Sequence, residues 1–217
     1  MHMRTQRLVF SGLAGVLTIG SAFGQIIQQK GGYMIFVKYS KGQVLKQEMS
    51  AHLISDAKKQ SKSTFVTKCT GFDKKGFTLL DVTPPPVGKT PAKVKHIKVD
   101  KHGKPIGNAI DGYGGTFAWP EFAVKIGQSW DGDINVAGSP GQPSGMIMKS
   151  TYKAAGIKTI NGVKVMAITS VMKVSGNYDI SGTGTIYVRF SDGQTQSADF
   201  DMLFSNLKIA MNIRTIK

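Results

Sequence analysis

Cysteine is almost absent from this chain: Cys69 is the single one, so an internal disulfide is impossible. Histidine is scarce too, and no two of His52, His96 and His102 have the spacing of a zinc pair on one helix. No uninterrupted apolar run reaches the roughly 20 residues that a membrane-spanning helix needs. Stability must therefore come from apolar burial and from hydrogen bonds between strands.

Motifs that carry catalysis or bind a cofactor are also missing. The Gly-x-Ser-x-Gly elbow of many hydrolases does not occur. Gly88-Lys89-Thr90 resembles the end of a phosphate-binding loop, but Thr83 stands where that loop requires its first glycine. Asp131-Gly132-Asp133-Ile134-Asn135 alternates oxygen ligands as calcium loops do, but Val136 replaces the glycine of the sharp turn. We expect an ordinary turn there, and we predict no catalytic residue, no metal and no cofactor.

Three side chains could still take part in chemistry outside a local motif. Cys69 shares strand parity with Phe65 and Thr67, and we favour a buried small hydrophobe over a reactive thiolate. Asp199 and Asp201 share one side of a predicted strand, as the carboxylates of a glycosidase can. Alternation places them opposite Phe200 and Met202, so we expect them to face solvent. The sequence thus predicts a protein that is not an enzyme.

The first 24 residues have the order of a secretory signal peptide. Two arginines precede the apolar run Leu8–Ile19, and Ala22 and Gly24 are small residues at the positions that signal peptidase reads. We therefore expect residues 1–24 to be a signal peptide, whether or not it is cleaved. Residues 25–217 are then a single all-β domain, periplasmic or secreted, with no transmembrane segment after signal removal.

Alternation of apolar and polar residues predicts β-strands through most of the chain. The predicted strands are Tyr33–Tyr39, Gln43–Met49, Phe65–Thr70, Phe77–Val82, Val94–Asp100, Met146–Tyr152, Val163–Val174, Thr185–Phe190, Ser197–Phe204 and Asn206–Arg214. Asp192-Gly193 suits a tight hairpin turn, and Ser50–Gln60 leaves a short helix as a less favoured alternative. The fold class is all-β: a mostly antiparallel curved sheet or open β-barrel, a meander of about eight to eleven strands with little helix.

One segment, Phe117–Trp130, resembles a stretch found in exported bacterial β-rich proteins of uncharacterised families. Gly182–Val188 followed by Asp192-Gly193 is similar to their closing hairpin, whereas Gln128 departs from their usual aspartate. Those families resemble the lipoprotein-carrier type of open β half-barrel. The resemblance implies an apolar concavity, and it transfers no catalytic residue to this chain.

Positive charge is concentrated in the N-terminal half of the chain. The formal net charge is +15, and removing Arg4 and Arg7 with the signal leaves +13. One stretch is densest in lysine: Lys93, Lys95, Lys98, Lys101 and Lys104. These lysines either protect an edge strand from pairing with another sheet, which we favour, or attract an anionic envelope surface. His96 and His102 lie in the same stretch, and we expect both to be solvated.

Two functions lead after these exclusions, and an enzyme stays a third hypothesis only because catalytic residues need not form a local motif. The leading hypothesis is an exported, non-enzymatic protein that binds a lipid or another apolar or amphipathic ligand in the concavity of its sheet. Eight methionines follow the signal segment, and they suit either an adaptable lining or an ordinary core. The alternative is an envelope adhesion or structural module that contacts anionic polysaccharide or lipid through the lysine-rich face. Nucleic acid is not an expected partner of an exported chain.

Overall fold

A computed structural model describes residues 25–86, 92–106, 117, 119–136, 146–175, 180–204 and 206–216. All regular secondary structure in these ranges is β-strand, which confirms the all-β fold class. The expected signal peptide and the glycine-lysine-threonine motif at residues 88–90 lie outside the described residues.

Twelve strands make up the described fold. They are β1 (Ile26–Gln29), β2 (Gly32–Ile35), β3 (Val44–Leu53), β4 (Asp56–Phe72), β5 (Thr78–Thr83), β6 (Lys95–Val99), β7 (Ser129–Val136), β8 (Met146–Ile160), β9 (Val163–Ser175), β10 (Ile180–Arg189), β11 (Thr195–Phe204) and β12 (Leu207–Ile216). All of their pairings are antiparallel.

Ten of the strands form one sheet, and β1 and β2 form a separate hairpin. The order in the sheet is β6-β5-β4-β3-β12-β11-β10-β9-β8-β7, a meander whose two halves join where β3 pairs with β12. Within the described residues β6 and β7 each pair with one neighbour only, so the sheet stays open. This confirms the predicted meander of antiparallel hairpins.

Strand β7 corrects the turn that the sequence predicted after Trp130. Alternation explains the strand: Trp130 is buried, whereas Asp131 lies on the opposite face and accepts a hydrogen bond from the Thr151 hydroxyl, 2.8 Å away. Gly132 lies against the Tyr152 ring, where a Cβ atom would be 3.0 Å from Cε2. The polar residues that resembled a calcium loop are therefore spaced along an extended strand.

The segment Ser50–Gln60 forms strand and not a helix. It comprises the end of β3, a tight turn and the beginning of β4, with Ala51 paired to Ser61. The less favoured helical alternative is thus not adopted.

The larger core lies on one face of the sheet, which we call the inner face. It packs the sheet residues Tyr152, Ile168 and Ile186 against Ile35 of the β1–β2 hairpin and Val124 of the following segment. Tyr33 and Val124 exchange two backbone hydrogen bonds of 2.8 and 2.9 Å, which tie the hairpin to that segment. The hairpin and the segment together cover the inner face of β7 to β11.

A smaller core lies on the same inner face at the opposite edge of the sheet, under β4, β5 and β6. Cys69 is fully buried there beside Leu80 and Val99, which confirms the prediction of a buried small hydrophobe. Burial raises the pKa of the Cys69 thiol, so the thiolate is disfavoured.

His102 corrects the prediction of a solvated histidine. Its side chain is buried against the Phe36 ring, with centroids 5.1 Å apart, and Nδ1 lies 2.9 Å from the Ile35 carbonyl oxygen. His96 is exposed as predicted, with Nδ1 2.6 Å from Asp81 Oδ1. The hydrogen bond to Ile35 satisfies the imidazole, which explains why it tolerates burial.

The β10–β11 turn offers a test of this architecture. Gly193 has φ +65°, and a Cβ atom there would collide with the Phe36 carbonyl oxygen. Gly42 has φ +82° and open space around it. We expect Gly42→Ala to lower the free energy of unfolding by about 1 kcal/mol, and Gly193→Ala by roughly 2–4 kcal/mol, because only Gly193 is also crowded. Urea unfolding measures both; equal losses would contradict this packing.

Candidate ligand-binding cavity

A cavity of about 280 Å³ lies on the inner face, between the two cores. Its lining includes Val82 of β5 and Met172 of β9, which are six strands apart in the sheet order. In a flat sheet six strand spacings would separate them by about 29 Å. Both can line one cavity only because the sheet curves around it, as the sequence predicted.

The floor of the cavity is built by cross-strand partners, which project from the same face of a sheet. Met49 of β3 pairs with Ile213 of β12, and Met211 of β12 pairs with Phe200 of β11. Phe65 of β4 extends the same apolar surface. Alternation within each strand therefore aligns these side chains, and the pairing of β3 with β12 brings distant parts of the chain together.

Phe117 and Trp119 stand over this floor. The Phe117 ring stacks on Phe200 at a centroid distance of 6.2 Å and on Trp119 at 5.9 Å. Both residues belong to the segment that carries the resemblance to exported β-rich proteins, and both line the cavity. Aromatic side chains thus bound the cavity opposite the strands.

One end of the cavity is crossed by the segment Phe36–Tyr39. The Val37 amide donates to the Lys101 carbonyl at 2.8 Å, and the Lys38 amide donates to the Asp192 carbonyl at 2.7 Å. The Gln194 side-chain amide donates to the Lys38 carbonyl. These bonds anchor the segment to Lys101 and to the β10–β11 turn, so we call this the closed end.

Arg189 holds the β10–β11 turn in shape. Its Nε lies 3.0 Å from Asp192 Oδ1, and its Nη2 donates to Gln194 Oε1 at 2.8 Å. Asp192 Oδ1 also accepts from the Gln194 backbone amide at 3.0 Å. The ion pair therefore orients Gln194 and keeps both charges engaged with each other beside the cavity.

The lining is uncharged. Among its described residues none is acidic, basic or histidine, and the polar members are hydroxyl and amide side chains such as Tyr39, Gln47 and Thr67. Burial raises the pKa of Tyr39 to about 12, so its hydroxyl stays neutral. Such a lining suits an apolar ligand with a few hydrogen-bonding atoms, and it offers no paired acid and base.

Two glycines of β10 shape the inner face beside the cavity. Gly182 pairs with Met202 and Gly184 pairs with Phe200, and the two larger side chains occupy the space that the glycines leave. The sequence alone does not indicate this role, because it requires the register between β10 and β11. The glycines thus let Phe200 and Met202 lie close to the sheet.

Four of the eight methionines after residue 24 line the cavity: Met49, Met172, Met202 and Met211. Met166, in contrast, is fully buried in the larger core. The two uses of methionine that the sequence left open are therefore both present. A flexible thioether lining can adjust to ligands of different shape.

The five lysines of the predicted surface site do not line the cavity. Lys95 and Lys98 lie in β6, an end strand of the sheet, which agrees with the edge-strand interpretation. Lys98 Nζ lies 2.8 Å from Asp73 Oδ2, and this hydrogen bond lowers the pKa of the Asp73 carboxyl. Lys101 Nζ lies 5.4 Å from the centre of the Phe36 ring. Binding of an anionic surface by Lys93, Lys95, Lys98, Lys101 and Lys104 stays a prediction.

The remaining sites considered from the sequence do not assemble a centre either. Asp199 lies on the outer face, 2.5 Å from Arg214 Nη2, and Asp201 is exposed, as predicted for solvent-facing carboxylates. In the ranges that the structure describes, no group of three histidine, cysteine or acidic side chains could hold a metal ion.

The two glycines of β10 provide a matched pair for testing the geometry of the cavity. A Cβ atom at Gly182 would meet the flexible end of Met202 and lie 3.1 Å from the Asp201 backbone oxygen. One at Gly184 would meet the rigid Phe200 ring and lie only 2.5 Å from the Asp199 backbone oxygen. We expect Gly182→Ala to change the free energy of unfolding by less than about 1 kcal/mol, and Gly184→Ala to lower it by roughly 1–3 kcal/mol. Urea unfolding distinguishes them, and the reverse order would refute the assigned register.

Comparisons of the chain with protein families, with curated proteins and with solved structures find no match. The resemblance of Phe117–Trp130 to exported β-rich proteins therefore stays a prediction from the sequence. In the described part of the chain, no helix is long and apolar enough to cross a membrane. The chemistry of the cavity is thus the basis on which a function can be inferred.

Proposed function

We propose that this protein binds an apolar or amphipathic ligand, with an acyl chain as the best-fitting class, and that it does so without catalysis. The observation that carries the proposal is the uncharged cavity of about 280 Å³ on the inner face of the sheet. This volume is close to the lower end of the roughly 300–1,000 Å³ typical of small-molecule sites. An acyl chain matches the apolar lining and makes no demand for a charged partner.

The energetic consequence of covering the lining supports the proposal. The cavity is partly open to solvent, so its apolar side chains meet water when no ligand is bound. A ligand that covers them removes apolar surface from water, which is worth about 25 cal/mol per Å². Water in the same space finds few hydrogen-bonding partners on such a lining.

The few polar side chains are placed for orientation of the ligand. Tyr39 lies at the closed end, and Gln47 lies on the floor. A neutral hydroxyl or amide can hydrogen-bond a carbonyl, ester or hydroxyl group of the ligand. We therefore infer that the ligand is a molecule with a long apolar portion and a small polar group.

Titration with a fluorescent acyl-chain probe, cis-parinaric acid, tests the proposal after bound lipid is removed from the protein. Met211 lies on the cavity floor, and its replacement by tryptophan fills the space that the probe would occupy. We expect saturable binding to the unaltered protein and a loss of affinity of about tenfold or more in Met211→Trp.

Asn212→Trp supplies the matched control, because the adjacent residue on β12 projects from the outer face and pairs there with Asp199. Its affinity for the probe should equal that of the unaltered protein. If the unaltered protein does not bind the probe, or if both variants lose affinity equally, the cavity is not an acyl-chain site.

A further inference from the structure

Two hairpin tips lie side by side at the end of the sheet opposite the closed end. One connects β3 to β4 at Ile54, and the other connects β11 to β12 next to Leu207. The Ile54 backbone amide donates to the Lys208 carbonyl at 2.9 Å, which fixes the two tips beside each other. Ile54 is 50% exposed and Leu207 is 53% exposed. Two large aliphatic side chains thus protrude together at one end of the molecule.

Basic side chains flank these aliphatic residues. Lys58 near the beginning of β4 and Lys208 at the beginning of β12 are both exposed. Asp56 is the acidic residue of the β3–β4 tip, and Asp201 is exposed further along β11. Aliphatic side chains bordered by lysines are characteristic of surfaces that insert shallowly into an anionic bilayer, because the apolar groups enter the acyl boundary while the ammonium groups meet the headgroups.

The tips are continuous with the cavity. Leu53 pairs with Ile209, and Ile209 pairs with Met202, so these three side chains form one row on the inner face. Met202 lines the cavity, and Leu207 projects from the same face of β12 as Ile209. An uncharged path of apolar side chains therefore leads from the exposed tips to the site of the proposed ligand.

We propose that the β3–β4 and β11–β12 tips dock the protein on the surface of an anionic lipid bilayer. Ile54 and Leu207 insert at the boundary between headgroups and acyl chains, and Lys58 and Lys208 contact lipid phosphates. Docking at this end points the apolar path toward the lipid. The surface is distinct from the Lys93–Lys104 stretch, and docking depends on the tips and not on an occupied cavity.

Co-sedimentation with vesicles tests this surface. Each variant is expressed as the full chain and purified in the same way, so the variants differ only at the substituted residues. Ile54→Asp combined with Leu207→Asp should weaken binding to vesicles of phosphatidylcholine and phosphatidylglycerol by about tenfold or more. Lys58→Gln combined with Lys208→Gln should weaken it by about tenfold, and binding to pure phosphatidylcholine should be weaker throughout.

Lys41→Gln combined with Lys158→Gln is the matched control, since it removes the same charge from two exposed lysines that lie outside both the tips and the Lys93–Lys104 stretch. It should leave vesicle binding unchanged within about twofold. Circular dichroism and the melting temperature establish that every variant is folded.

Three results would overturn the proposal: no binding of the unaltered protein to anionic vesicles, loss of binding in the control pair and not in the tip variants, or a dimer that the aspartate variants dissociate. The last result would assign the tips to a second copy of the chain. Titration with cis-parinaric acid separates this outcome from failure of the proposed function, because folded tip variants should bind the free probe as the unaltered protein does.

Discussion

The curved ten-stranded sheet has a larger apolar inner face than the hairpin and the loop segment packed on it can cover. The cavity is the part of that face which they leave uncovered. The β1–β2 hairpin and the segment around Trp119 and Val124 pack over β7 to β11 and complete the larger core. A smaller core forms under β4 to β6 around Cys69 and Leu80. Between the two cores the inner face of β3, β11 and β12 lines open space. The cavity therefore results from the difference in size between the sheet and the segments that pack on its inner face.

The Phe36–Tyr39 segment is anchored at one end of the sheet only, so the two ends of the cavity differ. The Phe36–Tyr39 segment is held by hydrogen bonds to the β10–β11 turn, which Arg189 shapes in turn. The opposite end carries the exposed tips at Ile54 and Leu207. The proposed ligand site and the proposed docking surface follow from this asymmetry, since a ligand would reach the cavity from the end where apolar side chains are exposed. Neither proposal requires a catalytic group.

Alternation in the sequence predicted the strands of the C-terminal half well, because β11 and β12 each turn one set of alternating side chains to the inner face and the other set to the outer face. It failed at β7, where Asp131 and Gly132 resemble a turn and only their pairing with β8 shows otherwise. It also failed at His102, whose burial depends on the Ile35 carbonyl far away in the chain. Alternation could not predict the cavity, because its floor requires the pairing of Met49 with Ile213. Local sequence patterns determine which side chains of a strand face inward. The shape of the cavity depends instead on the register between strands that are distant in the sequence.

Native mass spectrometry of the protein isolated from the cells that produce it, without denaturation or detergent, is the most direct test of the central claim. The account predicts an additional mass of one acyl-containing lipid per chain, released on unfolding and absent from folded Met211→Trp protein isolated in the same way. A protein that carries only its polypeptide mass, or a lipid that stays bound in Met211→Trp, would contradict it.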